Sequence, residues 1–554
     1  MALIYRRLKP KFNSRELSIN YVFATPTSRA SGVPTGITVQ AFAPNTNFYV
    51  ENFSAYGQDT WRVSNRLTLS FGLRWELNPP LKGERLPYNA VGMNNPLTAT
   101  LAPPNTRQWD TEYDNFAPRF GIAYVISEKH NLVARSGFGI FYDLGTGVAL
   151  RGFTSFPYNS LKTLTGTQLR FPANETDLKP VPFLDNSPPP YSSTFYFFDQ
   201  KLKLPYTRQW NVSLEKGIGK NQTVTISYVG AQGRQLLRTA QFRNFNAAFV
   251  QQRFGLNTGP LIVINPAIFG PTPAQLQSNT PAAGSPVYYT KNDTESDYQA
   301  LQVKYHRRLQ RGLQVLASYT YSRSIDDVSD ETTIGVPSNL LNLELEKGRS
   351  SFDIPHNFIM AISYELPKFK STSFLKAILN GWGVDSFIRW RSGLPFSVIT
   401  QVFDPLNIGT TRRVDQVPNQ PVWIKDKTSP GGRRLNANAF VVPPVGVQGN
   451  SGRNAYRSYN ARQVDLAIRR TFEIVGDRLR LQFRAEAFNV FNIPNFGFPA
   501  ASLGFPGFGE PTAMLGRSLS GNVASVQTSP SPGFNSLYQM GGPRSLQFSI
   551  RILY

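Results

Sequence analysis

The chain contains no cysteine at all, which removes disulfides and thiolate metal sites from consideration. Histidine is scarce as well. His130, His306 and His356 lie far apart in sequence, so a histidine-based catalytic or metal centre lacks its usual cluster of donors. No apolar run approaches the roughly eighteen residues that a membrane helix needs, so any crossing of a bilayer must be made by strands. Acidic pairs do not converge on a serine or histidine in a hydrolase motif, and no glycine-rich phosphate loop precedes a helical pattern. The sequence therefore points to no catalytic site, no enzyme and no cofactor. The start, Met1-Ala-Leu-Ile-Tyr-Arg-Arg-Leu-Lys-Pro10, also lacks the long apolar stretch and small-residue cleavage site of a secretory signal.

What is present is aromatic, basic and regularly alternating. Rings make up 13% of the 554 residues while the mean hydropathy is only −0.29, a mix that suits aromatic girdles around a polar interior. The formal charge of +23 invites nucleic acid as a partner. Arginine and lysine are however scattered over strand ends and polar strand faces, without a compact basic block or recognition helix. Anionic lipopolysaccharide or an anionic ligand is the expected counter-charge, and no nucleic acid.

The final stretch sets the pattern. Leu546, Phe548, Ile550, Ile552 and Tyr554 share one parity and Gln547, Ser549 and Arg551 the other, which describes a strand with one apolar and one wet face. Leu67, Leu69, Phe71, Leu73 and Trp75 repeat it against Thr68, Ser70, Arg74 and Glu76. It recurs over 118–126 and 132–142, 206–215 and 224–228, 301–306 and 313–321, 358–364 and 382–390, and 464–468 and 479–485. Glycines at 137 and 139 on the inner parity leave room for something packed inside. The count is about fourteen or fifteen strands, against roughly twenty-two in outer-membrane transporters.

Connection lengths carry the reading further. Turns near Ser64, Lys129, Gly219, Arg311 and Gly476 are short, whereas 77–116, 143–205, 230–297, 324–356, 402–461 and 490–544 are long and rich in Pro, Gly, Asn and Ser. Short and long connections alternate, as in a membrane barrel with tight periplasmic turns and large external loops. A sandwich does not sort its connections this way, and no fixed blade period supports a propeller. The expected fold is all-β: an antiparallel up-and-down transmembrane β-barrel, incomplete, with residues 1–46 a poorly determined segment and 47–554 the C-terminal part of the barrel. With an edge left over, the first strand and Leu546–Tyr554 are expected not to meet.

Several phrases also resemble the C-terminal barrel of TonB-dependent outer-membrane receptors, specifically the Oar-like group, whose complete members begin with a carboxypeptidase-regulatory-like domain. They are Tyr56-Gly-Gln-Asp-Thr-Trp-Arg-Val63 with Leu67-Thr-Leu-Ser-Phe-Gly-Leu-Arg-Trp-Glu76, Asn115-Phe-Ala-Pro-Arg-Phe-Gly121, Tyr228-Val-Gly-Ala-Gln-Gly-Arg234, Leu316-Ala-Ser-Tyr-Thr-Tyr-Ser-Arg-Ser-Ile-Asp-Asp327, Arg391-Ser-Gly-Leu-Pro-Phe396 and Arg484-Ala-Glu-Ala-Phe-Asn-Val-Phe-Asn492. The resemblance spans most of the chain from about Phe48. It implies the bacterial outer membrane, ligand binding with energised uptake, and a C-terminal strand, here Phe548, Ile550, Ile552 and Tyr554, read by the barrel assembly machinery. The group's signal peptide, N-terminal β-sandwich, TonB-contacting segment, plug and early strands are not recognisable, so the TonB system is expected as a partner only where a plug-bearing N-terminal part exists.

The candidate site residues are charges on the wet parity: Arg74, Glu76, Arg119, Arg135, Glu215, Glu365, Asp385, Arg389, Asp465, Arg480, Arg484 and Glu486. An arginine facing lipid at mid-membrane costs roughly 2 to 4 kcal/mol, so these are expected to face the lumen, either neutralising one another against a plug or lining a ligand path. A tight turn near Gly476 would set Asp465 opposite or diagonal to Arg484. The acidic stretch Asp326-Asp327-Val-Ser-Asp330-Glu331 is either a solvated loop tip or a hard-cation site, without EF-hand spacing. Aromatic segments 191–198 and 496–508 either grip a sugar or peptide or pack the loops onto one another. The leading expectation is a receptor barrel for energised uptake, here lacking plug and signal peptide, in contact with outer-membrane lipid. The alternatives are a passive surface or adhesion barrel and a soluble basic β-protein binding carbohydrate or nucleic acid.

Overall fold

Strands with side chains of period two pair into ladders that put every second residue on the same side of the sheet, so one apolar parity per strand becomes one apolar face per sheet. The computed structural model describes residues 2–9, 17–23, 25–42, 48–84, 86–143, 152, 156–164, 166–180, 189–191, 194–245, 264–270, 282–329, 343–367, 380–400, 402, 412–444, 447–475, 478–511, 513–515 and 542–554. Within them the longer strands are β1 Ala2–Leu8, β2 Leu17–Val22, β3 Gly36–Phe42, β4 Phe48–Arg62, β5 Leu67–Leu77, β6 Phe116–Ser127, β7 Leu132–Tyr142, β8 Asn159–Leu164, β9 Phe195–Phe198, β10 Tyr206–Ile218, β11 Gln222–Phe245, β12 Ala282–Gln310, β13 Leu313–Asp326, β14 His356–Glu365, β15 Trp382–Arg391, β16 Ala461–Val475, β17 Leu479–Phe488 and β18 Ser545–Leu553.

One sheet dominates. Antiparallel ladders run in the order β1, β4, β5, β6, β7, β10, β11, β12, β13, β14, β15, β16, β17, β18, each strand beside the next in the series. Among the described residues no ladder joins β1 to β18, so the sheet has two edges. It also begins earlier than the alternation in the sequence shows, because Ala2–Leu8 pairs along its whole length with Val50 to Tyr56. Leu3, Ile4, Tyr5 and Leu8 do not alternate, which hides this strand from a period-two reading. β2, β3 and β8 form a separate small sheet.

The registers let one parity be followed from edge to edge. Phe71 stands opposite Phe120, Phe120 opposite Phe138 and Phe138 opposite Trp210. Val212 then meets Tyr228, Tyr228 meets Leu301 and Leu301 meets Tyr321. Tyr319 meets Phe358, Phe358 meets Trp390, Ile388 meets Val464, Ile468 meets Ala485 and Phe483 meets Ile550. A slip of one residue anywhere would move polar groups onto this surface, and none occurs between these pairs. The apolar face is also open: Phe71 is 48% exposed, Val212 55% and Phe548 77%. A continuous exposed apolar band is what lipid contact requires.

The tight turns gather at one end. At the Arg311-Gly312 turn both residues have positive φ, 51° and 76°, the geometry that matches the twist of two paired strands. A Cβ on Gly312 would approach the Glu365 carbonyl oxygen to 2.2 Å, so glycine is required there. Gly476 lies outside the described residues.

The buried apolar core lies in the long connections at the other end. Phe156, Phe195, Phe197, Ile264, Phe269 and Val287 make one cluster, and Leu394, Phe396, Val398, Val414, Leu435 and Phe440 another. The stretch 230–297, expected as a loop, is strand at both ends: β11 reaches Phe245 and β12 starts at Ala282. Irregularities between Gly233 and Leu236 and between Phe242 and Asn244 break the alternation while the ladder continues past them, which is how bulges disguise a strand. β9 then adds to β12 in parallel, Phe195 beside Val287.

Candidate functional site

The registers set a row of charges on the face opposite the apolar band. Tyr56 opposite Arg74 and Ser54 opposite Glu76 begin the row, with Arg119 opposite Gly72 and Arg135 opposite Ala123. Ser363 opposite Asp385, Ile359 opposite Arg389, Phe387 opposite Asp465, Ala467 opposite Glu486 and Glu473 opposite Arg480 continue it. The charges fall into three groups along the sheet.

Near β5 the Arg74 guanidinium donates to Glu76 and to the Ser54 hydroxyl, the latter at 3.0 Å. Arg119 lies over the Phe141 ring at 4.6 Å. A Cβ on Gly139 would come within 3.0 Å of that ring, so the space left by this glycine is filled by the wall's own side chains and not by a separate packed element. Farther on, Arg135 donates to Glu215 at 3.0 Å.

The densest group spans β14 to β17. Asp385 accepts from the Ser363 hydroxyl at 2.7 Å, from Arg469 Nε at 3.2 Å and from Arg484 at 2.5 Å. Arg484 reaches Glu486 at 2.8 Å, and Arg469 comes within 3.6 Å of Glu365. Arg389 donates to Asp465 at 2.8 Å, and Asp465 also accepts from Gln463 at 2.7 Å. Ser363, Asp385, Arg389, Asp465, Arg484 and Glu486 line, together with Phe387, Leu316 and Ala361, an open concavity of about 570 Å3. Its carboxylates and guanidiniums alternate and bridge neighbouring strands, so the wall is both cross-linked and close to neutral here.

One expectation is corrected. The register sets Arg469, not Asp465, opposite Arg484, while Asp465 sits four positions away and pairs with Arg389 across the other ladder. Two like charges face each other because Asp385 on the third strand lies between them, which pairwise reasoning along one hairpin does not reveal. Arg469 was absent from the expected set although its parity with Asp465 and Ala467 marks it.

At the end carrying the long connections a second lattice closes. Asp326 is held by Arg453 and by the Ser329 hydroxyl at 2.9 Å, Asp353 by Arg457 and by the Ser324 amide at 2.7 Å, and Glu346 by Arg413 at 3.2 Å. Asp326 is thus engaged by an arginine rather than set out as a loop-tip donor, and among the described residues no cluster of acidic or histidine groups could hold a metal. Asp330 and Glu331 lie outside the described residues. Burial pushes the Asp327 carboxyl up, against the pull of a backbone hydrogen bond from Glu295. Burial likewise pushes the Tyr459 hydroxyl up to about 12. Phe195, Phe197, Phe498 and Phe508 are buried in the connection cores, so these parts of the aromatic segments pack the connections together, while Phe198 clusters with Phe48 and Val50 of β4.

The C-terminal strand contributes Phe548 opposite Ala485, Ile550 opposite Phe483 and Ile552 opposite Leu481, all on the apolar face, with Tyr554 following on the same parity.

A family model described as "Outer membrane beta barrel domain" matches residues 16–521. No curated protein matches the sequence. Among solved structures, the chain is similar to the pyoverdine outer membrane receptor FpvA from Pseudomonas aeruginosa PAO1, at 12% identity over 92% of this chain and 50% of that one, TM-score 0.38. It is similar to the outer membrane transporter YddB from Escherichia coli at 10% identity over 83% and 56%, TM-score 0.38. It is also similar to the FrpB iron transporter from Neisseria meningitidis at 10% identity over 92% and 53%, TM-score 0.39. The chain spans about half the length of these structures.

Proposed function

We propose that this chain, which belongs to the outer membrane β-barrel domain family and resides in the bacterial outer membrane, is the barrel wall of a TonB-dependent receptor of the Oar-like group. The observation that carries this reading is the pairing of one unbroken apolar face with an opposite face of cross-strand ion pairs, under long connections packed into cores of their own. Charges concentrated on the other side, around a concavity that joins Asp385, Arg389, Asp465, Arg484 and Glu486, fit a lumen that must hold and release polar contacts.

In this reading Arg74, Glu76, Arg119, Arg135 and Arg480 line the same lumen, and Phe548, Ile550, Ile552 and Tyr554 form the strand the assembly machinery reads. Residues 47–554 form the bulk of the wall, to which Ala2–Leu8 within 1–46 adds the first strand. Ligand capture at the external connections and energised passage through the lumen are the activities proposed, and no reaction is assigned to any residue. A strain lacking the gene and a strain lacking TonB are compared for depletion of ferric siderophores, oligosaccharides and peptides from the medium. Loss of the same compound in both strains supports the reading. Loss only with the gene points to passive entry, and loss of surface adhesion without any uptake defect points to an adhesion barrel; either overturns energised transport.

A further inference from the structure

Not every charge on the face opposite the apolar band is answered by another. In the concavity between β14 and β17, Arg389, Arg469 and Arg484 meet Asp385, Asp465 and Glu486, and the charges cancel. A second open concavity, of about 530 Å3, lies on the same face over β4, β5 and β6, and its balance is different. Tyr56, Gln58, Thr60, Ser70, Arg74 and Arg119 line it. Arg74 is answered by Glu76, but among the described residues Arg119 forms no ion pair with a carboxylate. Asp59, between Gln58 and Thr60, stands opposite Phe71 and so belongs to the apolar parity. Glycine flanks Arg119 on both ladders, Gly72 on β5 and Gly139 on β7, and the arginine is exposed, with its guanidinium over the Phe141 ring. The remaining polar groups are uncharged. Gln58 stands opposite Gly72, Thr60 opposite Ser70, and Ser70 opposite Gly121, where a Cβ would come within 2.5 Å of the Ser70 hydroxyl oxygen. Bare glycines thus keep the amide and the hydroxyls clear.

We infer that this concavity binds an acidic sugar, a uronate residue of an oligosaccharide, with its carboxylate on Arg119 and its hydroxyls on Gln58, Thr60 and Ser70. A guanidinium without a protein carboxylate takes one anionic group in its planar fork. A diphosphate or a polycarboxylate would need a second free cation, and Arg74 is engaged by Glu76. An amino acid would need a free carboxylate for its ammonium, and Glu76 is engaged by the same contact. One negative charge surrounded by hydroxyls is what remains. Amide and hydroxyl side chains both donate and accept, as sugar hydroxyls do, and the volume falls in the range of small-molecule sites. This reading rests on the proposed solute-facing lumen and narrows its ligand class. Occupancy is read on the purified chain without TonB, so failure here leaves the uptake comparison between strains untouched.

Binding of glucuronosyl-glucose, which carries a single carboxylate, to the purified full chain in detergent is measured by isothermal titration calorimetry, with its methyl ester and acetate as comparison probes. The acid is expected to bind about tenfold or more tightly than the ester, and R119Q to abolish that preference. T60V/S70A is expected to weaken acid and ester alike by about threefold or more. K201Q, at an exposed lysine in the connection before β10, is expected to leave binding of the acid within about twofold. Equal affinity for acid and ester overturns the inference, as does a preference that survives R119Q or an equal loss in K201Q. Acetate binding as tightly as the disaccharide also overturns it, because the hydroxyls would then contribute nothing. A measurement that leaves Arg119 in place uses the single cysteine of S70C: glucuronosyl-glucose is expected to slow its labelling by maleimide several-fold and the ester to slow it far less, and unslowed labelling counts against the site.

Discussion

Replacing Asp385 by asparagine tests whether the network on the face opposite the apolar band holds the wall together. The substitution keeps the shape and one carbonyl oxygen but removes the charge that Arg469 meets at 3.2 Å and Arg484 at 2.5 Å. Removing one partner of a fully buried ion pair costs about 3 to 5 kcal/mol, because the charge left behind is uncompensated. Here the cost is smaller for two reasons. The Asp385 and Arg484 side chains each remain 21% exposed, and Arg484 keeps Glu486 at 2.8 Å. About 1.5 to 3 kcal/mol remains, the worth of one or two charge-assisted hydrogen bonds after partial screening. Urea unfolding from lipid vesicles, followed by tryptophan fluorescence, reads this as a lowered midpoint at unchanged slope. R484Q alone is expected to cost a similar amount, and the double variant D385N/R484Q less than the sum by at least about 1 kcal/mol. A loss below about 0.5 kcal/mol for D385N, or strict additivity in the double variant, refutes the claim that the network is energetically coupled.

Ile550→Arg puts a charge on the apolar face opposite Phe483 and is expected to cost about 2 to 4 kcal/mol, with Ser549→Arg on the other face costing far less; folding yield into vesicles measures both. Arg453→Gln removes the clasp on Asp326 and is expected to speed proteolysis within 324–356 and 402–461 several-fold while leaving the wall's unfolding midpoint in place, as limited proteolysis followed by mass mapping will show.

The wall was legible because its physics is local. Period two in Leu67 to Glu76 assigns faces without knowledge of any partner, and the parity survives every ladder from β4 to β18. The side of each turn followed from connection length alone. What stayed hidden depends on partners distant in sequence. Asp326 looked like a loop tip because Arg453, which holds it, stands 127 residues away. Asp465 looked like Arg484's partner because only a third strand shows that Asp385 already occupies that place. The outer parts of β11 and β12 were read as loop because their bulges interrupt the alternation on which recognition relied. Arg469 is different: its parity with Asp465 and Ala467 puts it on the charged face from the sequence alone.

The central claim is that the Phe71 parity meets lipid and the Ser70 parity meets water. A chain without cysteine makes the test direct, since each introduced thiol is the sole one present. Single cysteines at Ser70, Phe71, Gly72 and Leu73, and at Gln302 and Val303, are installed in the full chain folded into vesicles and challenged with a charged, membrane-impermeant maleimide. The account predicts labelling at 70, 72 and 302 and protection at 71, 73 and 303, with fluorescent labels on the protected set quenched by brominated lipid. Labelling of all six positions alike, or of 71, 73 and 303 in preference, would contradict it.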